Sequence, residues 1–93
     1  MAIKNFLHVG LEKFYNTGSK AKINAAHAKK LGKILDHLDA AVVIKDMNFP
    51  GSGLHRLKGK LKDFYSIHIS GNYVVIFRFE NGNALDVDYL DYH

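Results

Sequence analysis

Residues 65–89, Tyr-Ser-Ile-His-Ile-Ser-Gly-Asn-Tyr-Val-Val-Ile-Phe-Arg-Phe-Glu-Asn-Gly-Asn-Ala-Leu-Asp-Val-Asp-Tyr, decide the fold. Tyr65, Ile67 and Ile69 alternate with Ser66, His68 and Ser70. Tyr73, Val75, Phe77 and Phe79 alternate with Val74, Ile76 and Arg78, and Leu85, Val87 and Tyr89 with Ala84, Asp86 and Asp88. A period of two sends successive side chains to opposite faces, so these are three strands with one apolar face that needs a cover. Asn81-Gly82 has the form of a two-residue hairpin turn, but that register sets Arg78 opposite Leu85, a charge opposite a core residue. A slip of one residue reverses every side chain, so the buried face favours three-residue loops. Asn81-Gly82-Asn83 then pairs Phe79 with Leu85, Arg78 with Asp86 and Phe77 with Val87. Ser70-Gly71-Asn72 pairs Ile69 with Tyr73 and Ile67 with Val75. Each loop ends on an Asn, which tolerates the left-handed conformation.

Upstream the period is helical. Ala2–Phe6 reads as a short strand. Leu7, Leu11, Phe14 and Tyr15 then form an amphipathic stripe that stops at Gly18. Asn24 is a cap for a second helix, whose stripe is Leu31, Ile34, Leu35 and Leu38. Lys29, Lys30 and Lys33 lie off that stripe, and residues 45–53, with the single Pro, read as a loop. The expected fold is α+β over a single domain, residues 1–93: β-α-α followed by an antiparallel meander of three to four strands, with the helices packed on one sheet face. The second face carries Ser66, His68, Val74, Ile76, Arg78, Asp86 and Asp88. It is too apolar for plain solvent and too charged for a core, which marks it as a docking surface, with Val74 and Ile76 as contacts for a partner.

Composition bounds the function. Of 93 residues 47% are apolar and 24% charged, which places the chain with ordinary globular domains and away from disordered ones. The absence of Cys excludes disulfides, thiol catalysis and Cys-based zinc sites. The longest apolar runs, residues 40–44 and 73–77, fall far short of the ~20 residues that span a bilayer, and residues 1–5 open no signal-peptide core. The expectation is a cytoplasmic protein without a membrane partner. The net charge of +4 hides a division: residues 1–62 hold twelve Lys or Arg against four acids, and residues 63–93 hold Arg78 against five. A basic body suits a polyanion, since each phosphate contact releases counterions.

Three groups have the residue types for chemistry on such a polyanion. They are His55, Arg56 and Lys58 ahead of Gly59; Arg78, alone among acids; and the run Tyr89-Leu90-Asp91-Tyr92-His93. Imidazoles exchange protons near neutrality, and Lys or Arg stabilises charge growing on a phosphate. Strict alternation puts His55 and Lys58 on opposite faces, so the chain must turn at Lys58-Gly59 for both to line one site. Plainer readings stand beside these. Arg78 opposite Asp86 is also a simple cross-strand ion pair, and His8, His27, His37 and His68 read as surface or helix-face residues.

The series Leu54-His55-Arg56-Leu57-Lys58-Gly59, Tyr65-Ser66-Ile67, Gly71-Asn72-Tyr73, Ile76-Phe77-Arg78-Phe79 and Asp88-Tyr89-Leu90-Asp91-Tyr92-His93 resembles the HigB toxins of the RelE/ParE superfamily. Ile3-Lys4-Asn5-Phe6, Leu11, Phe14, Thr17 and Gly18 resemble the family's opening. The resemblance implies a ribosome-dependent endoribonuclease that cuts mRNA in the decoding site, with no metal or other cofactor. It further implies neutralisation by a HigA-type helix-turn-helix antitoxin, through which alone the toxin meets DNA. By the same resemblance His55, Lys58, Asp91, Tyr92 and His93 are the catalytic residues. Arg78 and Arg56 are candidates for substrate phosphate, and Lys29, Lys30 and Lys33 for ribosomal RNA. The family's aromatic-Arg pair is replaced here by Tyr73-Val74, and Arg78, on the same face, is the candidate substitute. A gyrase-inhibiting binder of the ParE kind and a catalytically degenerate toxin are the alternatives.

Overall fold

The computed structural model describes residues 2–92. Helices α1 (Val9–Thr17) and α2 (Ala28–Ala40) precede a four-stranded antiparallel meander. Its strands are β1 (His55–Arg56), β2 (Tyr65–Ser70), β3 (Tyr73–Glu80) and β4 (Asn83–Asp91), in spatial order β1-β2-β3-β4. The α+β class and the run of two helices followed by an antiparallel meander are those expected from the periodicities.

Both helices follow their apolar stripes. Leu31, Ile34, Leu35 and Leu38 of α2 are at most 1% exposed, as is Leu11 of α1. Gly18 ends α1 in the left-handed conformation at φ 79°, where a Cβ would be strained. Leu7 falls outside the stripe and is 54% exposed, because the helix starts later: the His8 ring, through Nδ1, accepts from the Leu11 amide and caps it. Asn24 caps a single 3₁₀ turn, Ala25–His27, that leads into α2. Against these helices the sheet presents Ile67, Val75, Phe77 and Val87, all fully buried, together with Met47 from the loop after α2.

The first residues differ from expectation. Ala2–Phe6 forms no named strand but runs parallel to β4 through two bridges, Ile3 to Ala84 and Phe6 to Val87. Four backbone hydrogen bonds tie it there, among them Lys4 N to Ala84 O and Leu7 N to Val87 O.

Both predicted hairpin registers need correction. The Asn81-Gly82 turn is two residues long, with φ 52° and 78°, and it does pair Arg78 with Leu85 and Phe79 with Ala84. Ala84, fully buried, takes the core position assigned to Leu85, which is only half-buried. Parity is restored inside β4, where Phe77 faces the two-residue bulge Asp86–Val87 before Ile76 meets Asp88. Asp86 adopts φ 53° there, and Asn5 clamps it twice: Asn5 Nδ2 donates to Asp86 Oδ1 (2.8 Å) and the Asp86 amide donates to Asn5 Oδ1 (3.0 Å). Similarly, Ile67 pairs with Val75 as expected, but Ser70, not Ile69, meets Tyr73, with a register shift between His68 and Ser70. Gly71, not Asn72, takes the positive φ. Two-residue turns match the right-handed strand twist, and a bulge supplies the missing residue.

Candidate active site

The second sheet face is where the remaining polar chemistry collects. Leu57 leaves β1 buried, and its amide donates to Phe64 O; Gly59 turns the chain at φ 69°, and a single 3₁₀ turn, Gly59–Leu61, follows. This segment folds over the sheet, so Leu57, Val74 and Ile76 form a second, smaller apolar cluster with Leu61, Phe64 and Leu90. Val74 and Ile76 are only 9% and 3% exposed, and the expectation that they contact a partner is corrected: residues 57–64 of the same chain already cover them.

Pairing fixes the rows of this face. His55 opposes Ser66, Ser66 opposes Ile76, and Ile76 opposes Asp88, so one row carries His55 on the first strand and Asp88 on the fourth. Across a flat sheet those backbones are roughly 14 Å apart, a span that two inward-reaching side chains and a phosphate fill. His55 is exposed, and so is Lys58, three residues on, at the turn the alternation requires. Asp88, half-buried, shares this row three strands from His55 although the sequence reading assigns it no chemistry; only the pairing of β1 with β2 brings His55 into the row. The Asp88 Oδ1 accepts from the Tyr89 amide.

The cations divide by partner. Arg56 pairs with Tyr65 and so belongs to the helix-side face. Its guanidinium lies over the Tyr65 ring at 5.3 Å and donates through Nε to the Lys62 carbonyl, which fastens the loop after β1. Arg78 projects from the second face, held by Asp86 (2.9 Å) and Glu80 (2.6 Å). The hydrogen bond to Asp86 raises its pKa further, and Asp86 is held below the ordinary carboxylate range by Asn5 first and Arg78 second. A phosphate must compete with two carboxylates for this arginine. It also stands four residues from Val74, about 13 Å along the strand, so it shares the face of the family arginine but not its place.

Tyr92 is 42% exposed, and its amide donates to Asn72 O, which puts it two rows beyond Asp88 and diagonally across the face from His55. Asp91 opposes Tyr73 and is exposed, with the strand parity of Tyr89 on the helix side. His93 lies outside the described residues. The structure thus places exposed His55 and Lys58 three residues apart at one side of the sheet, ahead of the turn at Gly59, with Asp88 and Tyr92 on the far strand and beyond it.

His27 departs from the surface reading. It is 7% exposed, with Nδ1 2.6 Å from the Tyr89 hydroxyl, and it packs at 4.8 Å on the Tyr73 ring. Burial raises the Tyr89 pKa. This pair ties the start of α2 to the end of β4, the strand that leads into Asp91 and Tyr92. Nothing in helical periodicity announces it, because His27 sits in the 3₁₀ turn ahead of the stripe.

Residues 4–93 match a family model described as the RelE-like toxin of type II toxin–antitoxin system HigB. The chain is also similar to an "Endoribonuclease HigB" of Proteus vulgaris, 33% identical over 91 residues that cover 98% of this chain and 99% of the relative. A "Toxin HigB-1" of Vibrio cholerae serotype O1 is 35% identical over 85 residues, 89% of this chain and 88% of that protein.

Proposed function

The chain belongs to the HigB-like toxins of type II toxin–antitoxin systems, and from that premise we propose that it is an endoribonuclease that cuts mRNA on the ribosome, without a metal. The observation that supports this best is the convergence of chemistry with fold. In a chain matched from residue 4 to residue 93, exposed His55, Lys58 and Tyr92 border the one sheet face that the helices leave uncovered.

RNA carries its own nucleophile, so the protein's task is proton transfer, charge stabilisation and in-line placement. The ribose 2′-hydroxyl loses its proton to a base and forms a bond to phosphorus; the bond to the 5′-oxygen breaks, and that oxygen takes a proton from an acid. The products are a 2′,3′-cyclic phosphate and a 5′-hydroxyl. One of Asp91 and His93 acts as base with the other assisting, His55 or Tyr92 serves the leaving oxygen, and Lys58 stabilises the phosphorane. Asp91, whose parity is helix-side, reaches this face only round the exposed end of β4. Arg78 is a secondary phosphate contact, first released from Asp86 and Glu80; Arg56, on the helix-side face and fastened to the Lys62 carbonyl, does not share the face of His55 and is set aside. Lys29, Lys30 and Lys33 face ribosomal RNA. The partner that silences the toxin is a HigA-type helix-turn-helix antitoxin, and the site of action is the cytoplasm.

Primer extension on an mRNA under translation by purified ribosomes tests this reading. Discrete, codon-phased cuts that disappear in His55→Ala are expected. Uncut message with the wild-type protein, or DNA breaks with gyrase in its place, would overturn it.

A further inference from the structure

A cavity of about 420 Å³ opens between α2 and the loop that follows it, lined by Ala26, Lys29, Lys30, Lys33, Phe49 and Pro50. That volume is within the range of small-ligand sites, roughly 300–1,000 Å³. Its wall is apolar and its mouth is cationic, and no carboxylate lines it. Among the described residues none of the three lysines forms an ion pair, whereas Arg78 forms two. The lysines are not equivalent. Lys30 Nζ donates to the carbonyls of Ile69 (3.1 Å) and Gly51 (3.4 Å), which fastens helix, loop and β2 together as the frame of the cavity. Lys29 and Lys33 are exposed one helical turn apart, a spacing that sets their Cβ atoms about 5–6 Å from each other. Phe49 is held as a wall by stacking on His37 at 4.2 Å and 20°, with Lys33 Nζ 5.6 Å over its ring.

A flat apolar wall beneath paired cations fits one chemical class well: a nucleotide, with its base against carbon and its phosphate on ammonium. We propose that this cavity is a second RNA subsite, which takes one unstacked nucleotide with the base against Phe49 and Pro50 and the phosphate between Lys29 and Lys33. It sits on the helix layer, opposite the sheet face that holds His55, so its nucleotide is not the one being cut; it holds structured RNA in place while the other face works. The inference rests on the reading of the chain as an RNA-directed toxin, and it specifies the basic face of that reading.

The test is fluorescence anisotropy with the full-length protein and a fluorescein-labelled 12-nucleotide RNA of mixed sequence, as a single strand and as a duplex. Phe49→Leu keeps an apolar side chain against the core and removes the ring. It should weaken single-strand binding about tenfold and leave duplex binding unchanged, since stacking on an aromatic ring is worth ~1–3 kcal/mol per base. Lys29→Gln/Lys33→Gln needs no core change. It should weaken single-strand binding and lower the salt slope by about 0.7, the share of the one phosphate held between the two lysines. Wild-type affinity for the single strand in Phe49→Leu would overturn the base site, leaving a charged surface only. An unchanged slope in the lysine variant would overturn the phosphate site. A poly-glutamate peptide that displaces the RNA equally from wild type and Phe49→Leu would assign the groove to acidic protein. A wild-type chain that cuts no message yet shows this pattern in the Phe49 and lysine variants loses its enzymatic reading and keeps the subsite.

Discussion

The two faces of this sheet are made by alternate residues of the same strands and are completed by different means. On the helix side Ile67, Val75, Phe77 and Val87 are fully buried beneath two amphipathic helices. On the other side Val74 and Ile76 are roofed by residues 57–64 alone, with His55, Arg78 and Asp88 around them. The first face holds the larger core, and the second holds the residues proposed for the chemistry. Exposure separates the two roles, and substitutions should separate them too.

The largest effect is expected from His55→Ala. Loss of a proton-transfer group costs about 10²–10⁴-fold in rate. The side chain is exposed, so the melting temperature should move by less than about 4 °C. Primer extension and thermal unfolding of one preparation read both, and a large fall in each would break the division between faces. Phe77→Ala is its mirror image. It should cost about 3–5 kcal/mol in a urea titration while the folded fraction keeps its cleavage rate.

Leu57→Ala sharpens the comparison, because Leu57 roofs the small cluster and sits between His55 and Lys58. A stability loss of about 2 kcal/mol, at the low end for a buried leucine, should come with up to ~10²-fold slower cleavage through misplacement of its neighbours. Stability loss with full activity would show that the roof does not position the site.

The smallest effect depends on pH. Asp86 titrates below its ordinary 3.8, so its contribution is complete at neutral pH and is lost as pH falls through its lowered folded-state value. Asp86→Asn should lower the urea midpoint at pH 7 and flatten the acid limb of the stability profile between pH 5 and 3. An acid limb identical to wild type would assign that limb to other carboxylates.

The helices were legible because Leu31, Ile34, Leu35 and Leu38 repeat with the pitch of a helix and nothing distant interferes. The hairpins were legible as hairpins, and Ile67 opposite Val75 was too, but the pairing beside each turn was not. Counting parity assumes an unbroken strand, and the bulge at Asp86 breaks it. What makes that bulge tolerable is Asn5, 81 positions away, and local pattern carries no trace of such a partner. The candidate site divides along the same line. His55, Lys58, Arg78 and Tyr92 advertise themselves by residue type and by resemblance to a family. Asp88 joins the row of His55 only through pairing, and Phe49 becomes a wall only when its loop packs back on α2.

The clamp between Asn5 and Asp86 also sets a clock for the newborn chain. At ~5–20 residues per second, a ribosome needs about 4–16 s after making Asn5 to deliver the aspartate it grips. Until then the opening segment has no neighbour to lie along and the last strand does not exist, so the sheet face that His55 shares with Asp88 is incomplete. The toxin therefore has no finished fold until its last strand has been made, and an antitoxin has those seconds in which to be waiting.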